Sequence, residues 1–218
     1  MPSFPVISRE DFSKMSDVDK RLLITRDALL QISLGLFGVE QGNYISSRAW
    51  RRGSDTRLKV YSDLDPHLDV SDPVATECLL NGHCHVCAKG ALFLSAIIRT
   101  NNLKVDRITE FDGDAMTMHV ASLGIFTEDE LNLFEGIFEA SYRWLGVGDP
   151  SADTTMKRTS YLNYTEPFHF PLHRLAAILI NIIDNNGYFK PEIKLTLERV
   201  KEEIEKLRTA HPAEAFVI

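Results

Sequence analysis

Hydrophobic residues recur at intervals of three and four along several long stretches of the chain, a pattern typical of helices with one buried face. The first stretch begins near Ser16, a favourable N-cap, and ends around Gly35 and Gly38. A nearly continuous apolar stretch from about Val86 to Arg99 predicts a central helix. Its small residues let a neighbouring helix or a ligand approach the backbone closely.

Three later helices are marked by their ends. Thr127 and Glu130 form a capping box in front of an apolar helical pattern. A buried helix is predicted from about Pro171 to Asn185, and Asn186-Gly187 is a typical C-cap for it. Pro191 is predicted to open the last helix, whose narrow apolar seam suits packing on a bundle or self-association with a second copy of the chain.

The residues from 43 to 61 have a different pattern. Two short β-prone pieces, Asn43–Ile45 and Arg57–Tyr61, are separated by Arg52-Gly53-Ser54-Asp55, which reads as a turn. No repeat, low-complexity tract or flexible linker divides the chain. The pattern as a whole predicts a single domain over residues 1–218, mainly α, as a compact helical bundle with a small β-hairpin near residues 43–61.

Composition narrows the function classes. The 218 residues carry a formal net charge of −7, which argues against general nucleic-acid binding. The three cysteines are an odd number, unsuited to a secreted disulfide framework, so a reducing cytoplasm is expected. No apolar run approaches the roughly 18 residues of a membrane span, and the N-terminus lacks the features of a signal peptide. We expect a soluble protein without membrane partners.

Potentially reactive or metal-binding side chains are most concentrated between Cys78 and Cys87, where all three cysteines occur with His83 and His85. One hypothesis is a zinc site formed by Cys78, Cys84, Cys87 and one histidine, either His83, His85 or His119. The spacing fits only half of a zinc signature, because a second short-spaced pair is absent. The main expectation is therefore that the protein has no metal or other cofactor, with zinc as the alternative.

A second hypothesis makes Cys87 a nucleophile at the start of the central helix, with His119 as its base and Asp112 or Asp114 orienting that base. This arrangement would be a thiol-dependent hydrolase or transferase. The third and favoured interpretation is packing, because free cysteines behave as small buried hydrophobes and Cys87 is followed by Ala88 and Gly90.

A basic segment precedes this cluster. Between Ser46 and Lys59 it holds five basic residues and one acidic residue, in a chain that is acidic overall. Arginines can hold a phosphate while an aromatic ring stacks on a base, so a nucleotide-like anionic ligand is the functional interpretation. The structural alternative is charge pairing with the acidic stretch that follows. The candidate ligand-binding residues are Arg48, Trp50, Arg51, Arg52, Arg57 and Lys59.

Several of these segments occur together in one known group of proteins. They are the pieces Arg26-Asp27-Ala28-Leu29-Leu30-Gln31, Cys84-x-x-Cys87-Ala-x-Gly-Ala-Leu-Phe93, the capping-box segment after Phe126, and Arg174 to Pro191. As a set they resemble small, mainly helical uncharacterised proteins of phages and bacterial mobile elements. Lys89 departs from the apolar residue expected in that pattern.

The resemblance implies a helical fold and a bacterial host cytoplasm, and it carries over no catalytic residue. In that setting the expected function is non-enzymatic: a binding or regulatory protein that sequesters a small anionic ligand or a host or defence protein.

Overall fold

The computed structural model describes residues 7–42, 45–47, 84–100, 113–139 and 167–212. Within these ranges the chain forms seven helices and three short strands, so the predicted fold class, mainly α with a small β element, is confirmed. The helices are α1 (Arg9–Lys14), α2 (Asp17–Ser33), α3 (Ala88–Thr100), α4 (Gly113–Ser122), α5 (Glu128–Glu139), α6 (Pro171–Asp184) and α7 (Leu197–Ala210). The strands are β1 (Gly38–Val39), β2 (Ile45–Ser47) and β3 (Cys84–Val86).

The core is formed by α2, α3 and α6. Helix α2 packs against α6, α3 and α7, while α3 also packs against α4 and α5. Both α3 and α6 are largely apolar; the residues of α3 whose burial is described are all buried, and in α6 the run from Arg174 to Ile182 is buried. The central position predicted for the Val86–Arg99 stretch is therefore confirmed, and its helix spans Ala88–Thr100.

Local capping determines where several helices begin. The Ser16 hydroxyl accepts a hydrogen bond from the Asp19 amide, as expected for the N-cap of α2. At α5 the Thr127 hydroxyl accepts from the Glu130 amide, and the Glu130 carboxylate accepts from the Thr127 amide. This reciprocal pair confirms the predicted capping box. Helices α1 and α4 were not predicted from the hydrophobic pattern.

The three strands form one small sheet in the order β1-β3-β2. Strand β1 runs parallel to β3, with Gly38 opposite His85, and β2 runs antiparallel to β3, with Ser46 opposite His85. The second arm of the predicted hairpin, Arg57–Tyr61, lies outside the described residues. Among the described strands, the partner of β2 is thus the segment that leads directly into α3.

The end of α6 follows the prediction. Asn186 and Gly187 have positive φ angles of 55° and 89°, and the Gly187 amide donates to the Ile182 carbonyl. The chain then returns along α6, where the buried Asn181 side chain donates to the Lys190 carbonyl and accepts from the Lys190 amide, both at 2.9 Å.

The predicted start of the last helix at Pro191 is wrong. Residues 191–196 are not helical, and Thr196 is the N-cap of α7, accepting from the Arg199 amide. Asn181 binds the Lys190 backbone, and the Ile193 amide donates to the Lys190 carbonyl at 3.1 Å, so the chain makes a turn at Pro191 and the helix begins after Thr196, which caps it.

The apolar seam of α7 is used within the chain. Val200 and Ile204 are buried, Leu197 and Leu207 pack against the same core, and α7 lies on α2 and α6. The seam proposed for self-association is thus occupied by the chain's own helices. Among the described residues, no helix combines the length and apolarity needed to cross a bilayer.

Candidate functional site

The sheet brings the first of the predicted site residues, His85, against Glu40. The His85 Nδ1 atom lies 3.1 Å from a carboxylate oxygen of Glu40, the residue that follows β1. The His85 ring covers Gly38 so closely that a Cβ atom placed there would come within 1.9 Å of the ring. His85 is therefore held by a carboxylate and by backbone on the sheet.

Cys87 is the N-cap of the central helix α3. Its carbonyl accepts from the Ala91 amide at 3.0 Å, and its Sγ accepts from the Gly90 amide at 3.4 Å. A sulfur in this position does what a serine or aspartate oxygen commonly does at a helix start, satisfying an amide that has no partner within the helix. The side chain is completely buried.

The Cys87 thiol faces the carboxyl group of Glu135 on α5. Burial and the adjacent Glu135 carboxylate raise the pKa of the Cys87 thiol well above its usual range. The same carboxyl accepts a hydrogen bond from the Lys89 amide at 3.2 Å, so Glu135 caps α3 from a second helix. Burial likewise raises the pKa of Glu135, although the hydrogen bond from Cys87 opposes that change.

This environment is the reverse of one that activates a thiol. Nucleophilic cysteines are ionised by a neighbouring cation or base, whereas Cys87 is buried beside an acid. The geometry therefore favours the packing interpretation over the thiolate nucleophile. His119 lies on α4, which packs on α3, but its ring is outside the described side chains.

Lys89 is buried in the fold although its side chain is charged. Only 6% of the residue is exposed, and its Nζ donates to the Asn132 side chain at 2.8 Å. The departure from an apolar residue at this position is thus accommodated by the polar edge of α5, where Asn132 and Glu135 lie one turn apart.

The remaining predicted site residues fall largely outside the described part of the chain. This applies to Cys78 and to the whole candidate set Arg48, Trp50, Arg51, Arg52, Arg57 and Lys59. Cys84 is described only as backbone in β3. Among the residues that the structure covers, no group of three histidine, cysteine or acidic side chains is arranged to hold a metal ion.

A cavity that the sequence did not indicate lies along the start and middle of α2. It is an open surface pocket of about 370 Å³, within the size range of small-molecule sites, and we call it the α2 cavity. Its apolar walls are formed by Met15, Leu22, Leu23 and Leu30. Its charged lining residues are Asp19, Arg26, Asp27 and Arg99.

A buried ion pair connects two of these charges. The Arg99 Nη2 atom lies 2.6 Å from the Asp27 Oδ1 atom, and the two side chains are 9% and 0% exposed. Burial raises the pKa of Asp27, while Arg99 acts in the opposite direction. Paired in this way, Asp27 and Arg99 offset each other's charge beside the cavity.

Arg26 differs from its neighbours in the α2 cavity. It is exposed, and within the described residues it forms no ion pair, whereas Asp19 accepts a hydrogen bond from the Ser16 hydroxyl at 2.6 Å. The cavity thus has an accessible guanidinium beside its apolar walls. Asp27 is the residue by which this region could have been noticed in the sequence, because it is a charged residue on the buried face of α2.

Comparisons of the chain with family models, with curated proteins and with solved structures find no match.

Proposed function

We propose that the protein is a non-enzymatic binding protein whose α2 cavity takes a small ligand with one anionic group and an apolar part. The observation that carries this proposal is the cavity of about 370 Å³, in which Arg26, without an ion pair in the described part of the chain, lies beside leucine and methionine walls. Guanidinium groups bind carboxylate and phosphate oxygens, and apolar walls favour a ligand that removes hydrocarbon from water.

The buried pair supports a binding role for this part of α2. Asp27 and Arg99 join α2 to α3, so the helices that form the cavity are held to each other by a charged contact at 2.6 Å. A preformed site loses less conformational freedom on binding than one that must be assembled. The surroundings of Cys87 add to this proposal, because they favour a neutral capping thiol over a catalytic thiolate.

The resemblance to phage and mobile-element proteins supplies the biological part of the proposal. In such a setting a small binding protein acts by withdrawing its ligand from the host or from a defence system. This role requires no catalytic residues. It depends on the affinity of the protein for its ligand and on the concentration of the protein.

Isothermal titration with hexanoate, hexanol and inorganic phosphate tests the proposed ligand chemistry. We expect hexanoate to bind most tightly, because it supplies both the anion and the hydrocarbon chain. The Arg26→Gln variant should bind hexanoate about tenfold more weakly, the scale of a lost hydrogen-bonded charge contact, and Arg26→Lys should recover part of the affinity.

Arg199→Gln is the matched control, since it removes an exposed arginine on α7, away from the cavity lining. It should bind hexanoate like the unmodified protein. No saturable hexanoate binding, or equal affinity in Arg26→Gln and the unmodified protein, would overturn the proposed function.

A further inference from the structure

A cluster of basic side chains lies at the end of the bundle where α6 begins and α7 ends. Arg208 on α7 donates from its Nε to the Ser33 carbonyl at 2.7 Å, at the C-terminal end of α2. At the opposite end of α6, Gly187 lies against Arg21 and Val18 in the first turns of α2, so α2 and α6 are antiparallel. Arg208 is therefore held near the first turn of α6, which carries His173.

Lys201 joins this cluster from the same face of α7. It precedes Arg208 by seven residues, two helical turns, and both side chains act electrostatically on His173. Burial, Lys201 and Arg208 together lower the pKa of His173. Lys201 and Arg208 on α7 thus bring positive charge to the side chain of His173 on α6.

The two cations of this cluster have no carboxylate partner among the described residues. Across the described ranges, neither Lys201 nor Arg208 forms an ion pair, although several other basic residues have a carboxylate within 4.0 Å. Glu205 lies between them along α7 and pairs with neither. The His173 Nδ1 atom is buried and has no hydrogen-bond partner among the described residues.

An exposed aromatic ring stands beside the cluster. Phe170, the residue before α6, is 68% exposed and contacts the His173 ring edge-on, with centroids 5.8 Å apart. Large apolar side chains with this exposure are few among the described residues. A flat ligand ring stacked on Phe170 would remove its apolar surface from water.

We propose that His173, Lys201 and Arg208 form a second anion site, separate from the α2 cavity, that binds a phosphate-bearing ligand whose flat ring stacks on Phe170. Phosphate matches the cluster because its oxygens accept several charge-assisted hydrogen bonds at once. A bound anion would offset the charges of Lys201 and Arg208, which form no ion pair within the ranges that the structure describes. Nucleoside monophosphates combine the phosphate and the ring.

Titration with AMP, inorganic phosphate and adenosine tests this site, with the His173 ring resonances in NMR spectra as a local readout. We expect AMP to bind more tightly than phosphate or adenosine and to shift the His173 resonances. Lys201→Gln should weaken AMP binding about fivefold, the scale of one lost ionic contact near the surface. Glu205→Gln should strengthen it, because a nearby negative charge is removed.

Matched variants test whether AMP binds at this cluster and not elsewhere on the protein. Lys206→Gln removes an exposed lysine on the same helix and should leave AMP binding unchanged, while Phe170→Ala should reduce the affinity for AMP to that for phosphate. Arg26→Gln should also leave AMP binding unchanged, so failure here is distinguishable from failure of the α2 cavity. The proposal is overturned if AMP does not bind, or if Lys201→Gln and Lys206→Gln bind it alike.

Discussion

The guanidinium of Arg21 donates two parallel hydrogen bonds to the carboxylate of Glu130, with Nη1–Oε1 at 2.7 Å and Nη2–Oε2 at 3.0 Å. The two residues are 109 positions apart in the chain. The guanidinium also lies 5.1 Å from the ring centroids of Phe126 and Tyr188. One arginine on α2 thereby holds the start of α5 and the turn that follows α6.

The strength of this contact can be measured with a double-mutant cycle of Arg21→Ala and Glu130→Ala. We expect a coupling energy of about 1–2 kcal/mol, because the pair is bidentate and largely shielded from water. The exposed pair Arg199–Asp184 provides the comparison, with an expected coupling below about 1 kcal/mol. Chemical denaturation of the variants gives both values, and equal couplings would show that the bidentate geometry adds nothing.

The capping role of Cys87 predicts different effects of two substitutions. Cys87→Ala removes the acceptor of the Gly90 amide and should lower the free energy of unfolding by about 1–2 kcal/mol. Cys87→Ser keeps an acceptor at the helix start and should lose less. Both variants should bind ligands of the α2 cavity normally. Loss of function at unchanged stability in Cys87→Ala would instead restore the catalytic hypothesis.

Glu135 predicts a dependence of stability on pH. Its folded-state pKa is raised by burial above the ordinary 4.5, so its contribution to stability is fully present below that value and is lost as the pH rises through the folded pKa. Glu135→Gln should therefore be more stable than the unmodified protein at pH about 7.5, with little difference at pH about 4. Urea denaturation at the two pH values measures the change.

Glu128→Gln is the control for this experiment, because Glu128 lies exposed on the same helix. A Glu135→Gln variant that is no more stable than the unmodified protein at the higher pH would contradict the predicted direction.

The close contact of Gly38 with His85 predicts a coupled pair of substitutions. Gly38→Ala should destabilise the protein by about 1–2 kcal/mol, because the new methyl group must displace the His85 ring from Glu40. In a His85→Ala background the same change should cost much less, since the space is already free. Thermal denaturation of the four proteins tests this, and additive effects would exclude the ring as the cause.

Much of the helical framework was predictable because its signals are local. The N-cap at Ser16, the capping box at Thr127 and the C-cap at Gly187 all depend on groups within a few residues of one another. The start of α7 was misplaced because a proline such as Pro191 permits a helix to begin but does not require it. In the structure, the Asn181 side chain binds the backbone of Lys190 through two hydrogen bonds, and no helix starts at Pro191.

Candidate chemistry was less predictable, because it depends on what the fold places beside each group. The type of Cys87 and its position at a helix start allowed a catalytic hypothesis beside the favoured packing interpretation, and the group that meets the thiol is a carboxyl from another helix. Lys89 departed from the expected apolar residue, yet it is buried and its Nζ donates a hydrogen bond to the Asn132 side chain. The α2 cavity could not be predicted without knowing that Asp27 pairs with Arg99 of α3.

The sequence by itself determined a mainly helical chain and the starts of α2, α3, α5 and α6, because hydrophobic period and capping act over one or two helical turns. Tertiary structure alone decided that Glu135 faces Cys87, that Arg99 pairs with Asp27, and that Lys201 and Arg208 act electrostatically on His173. These contacts join residues far apart in the chain, and burial between packed helices sets their ionisation and strength.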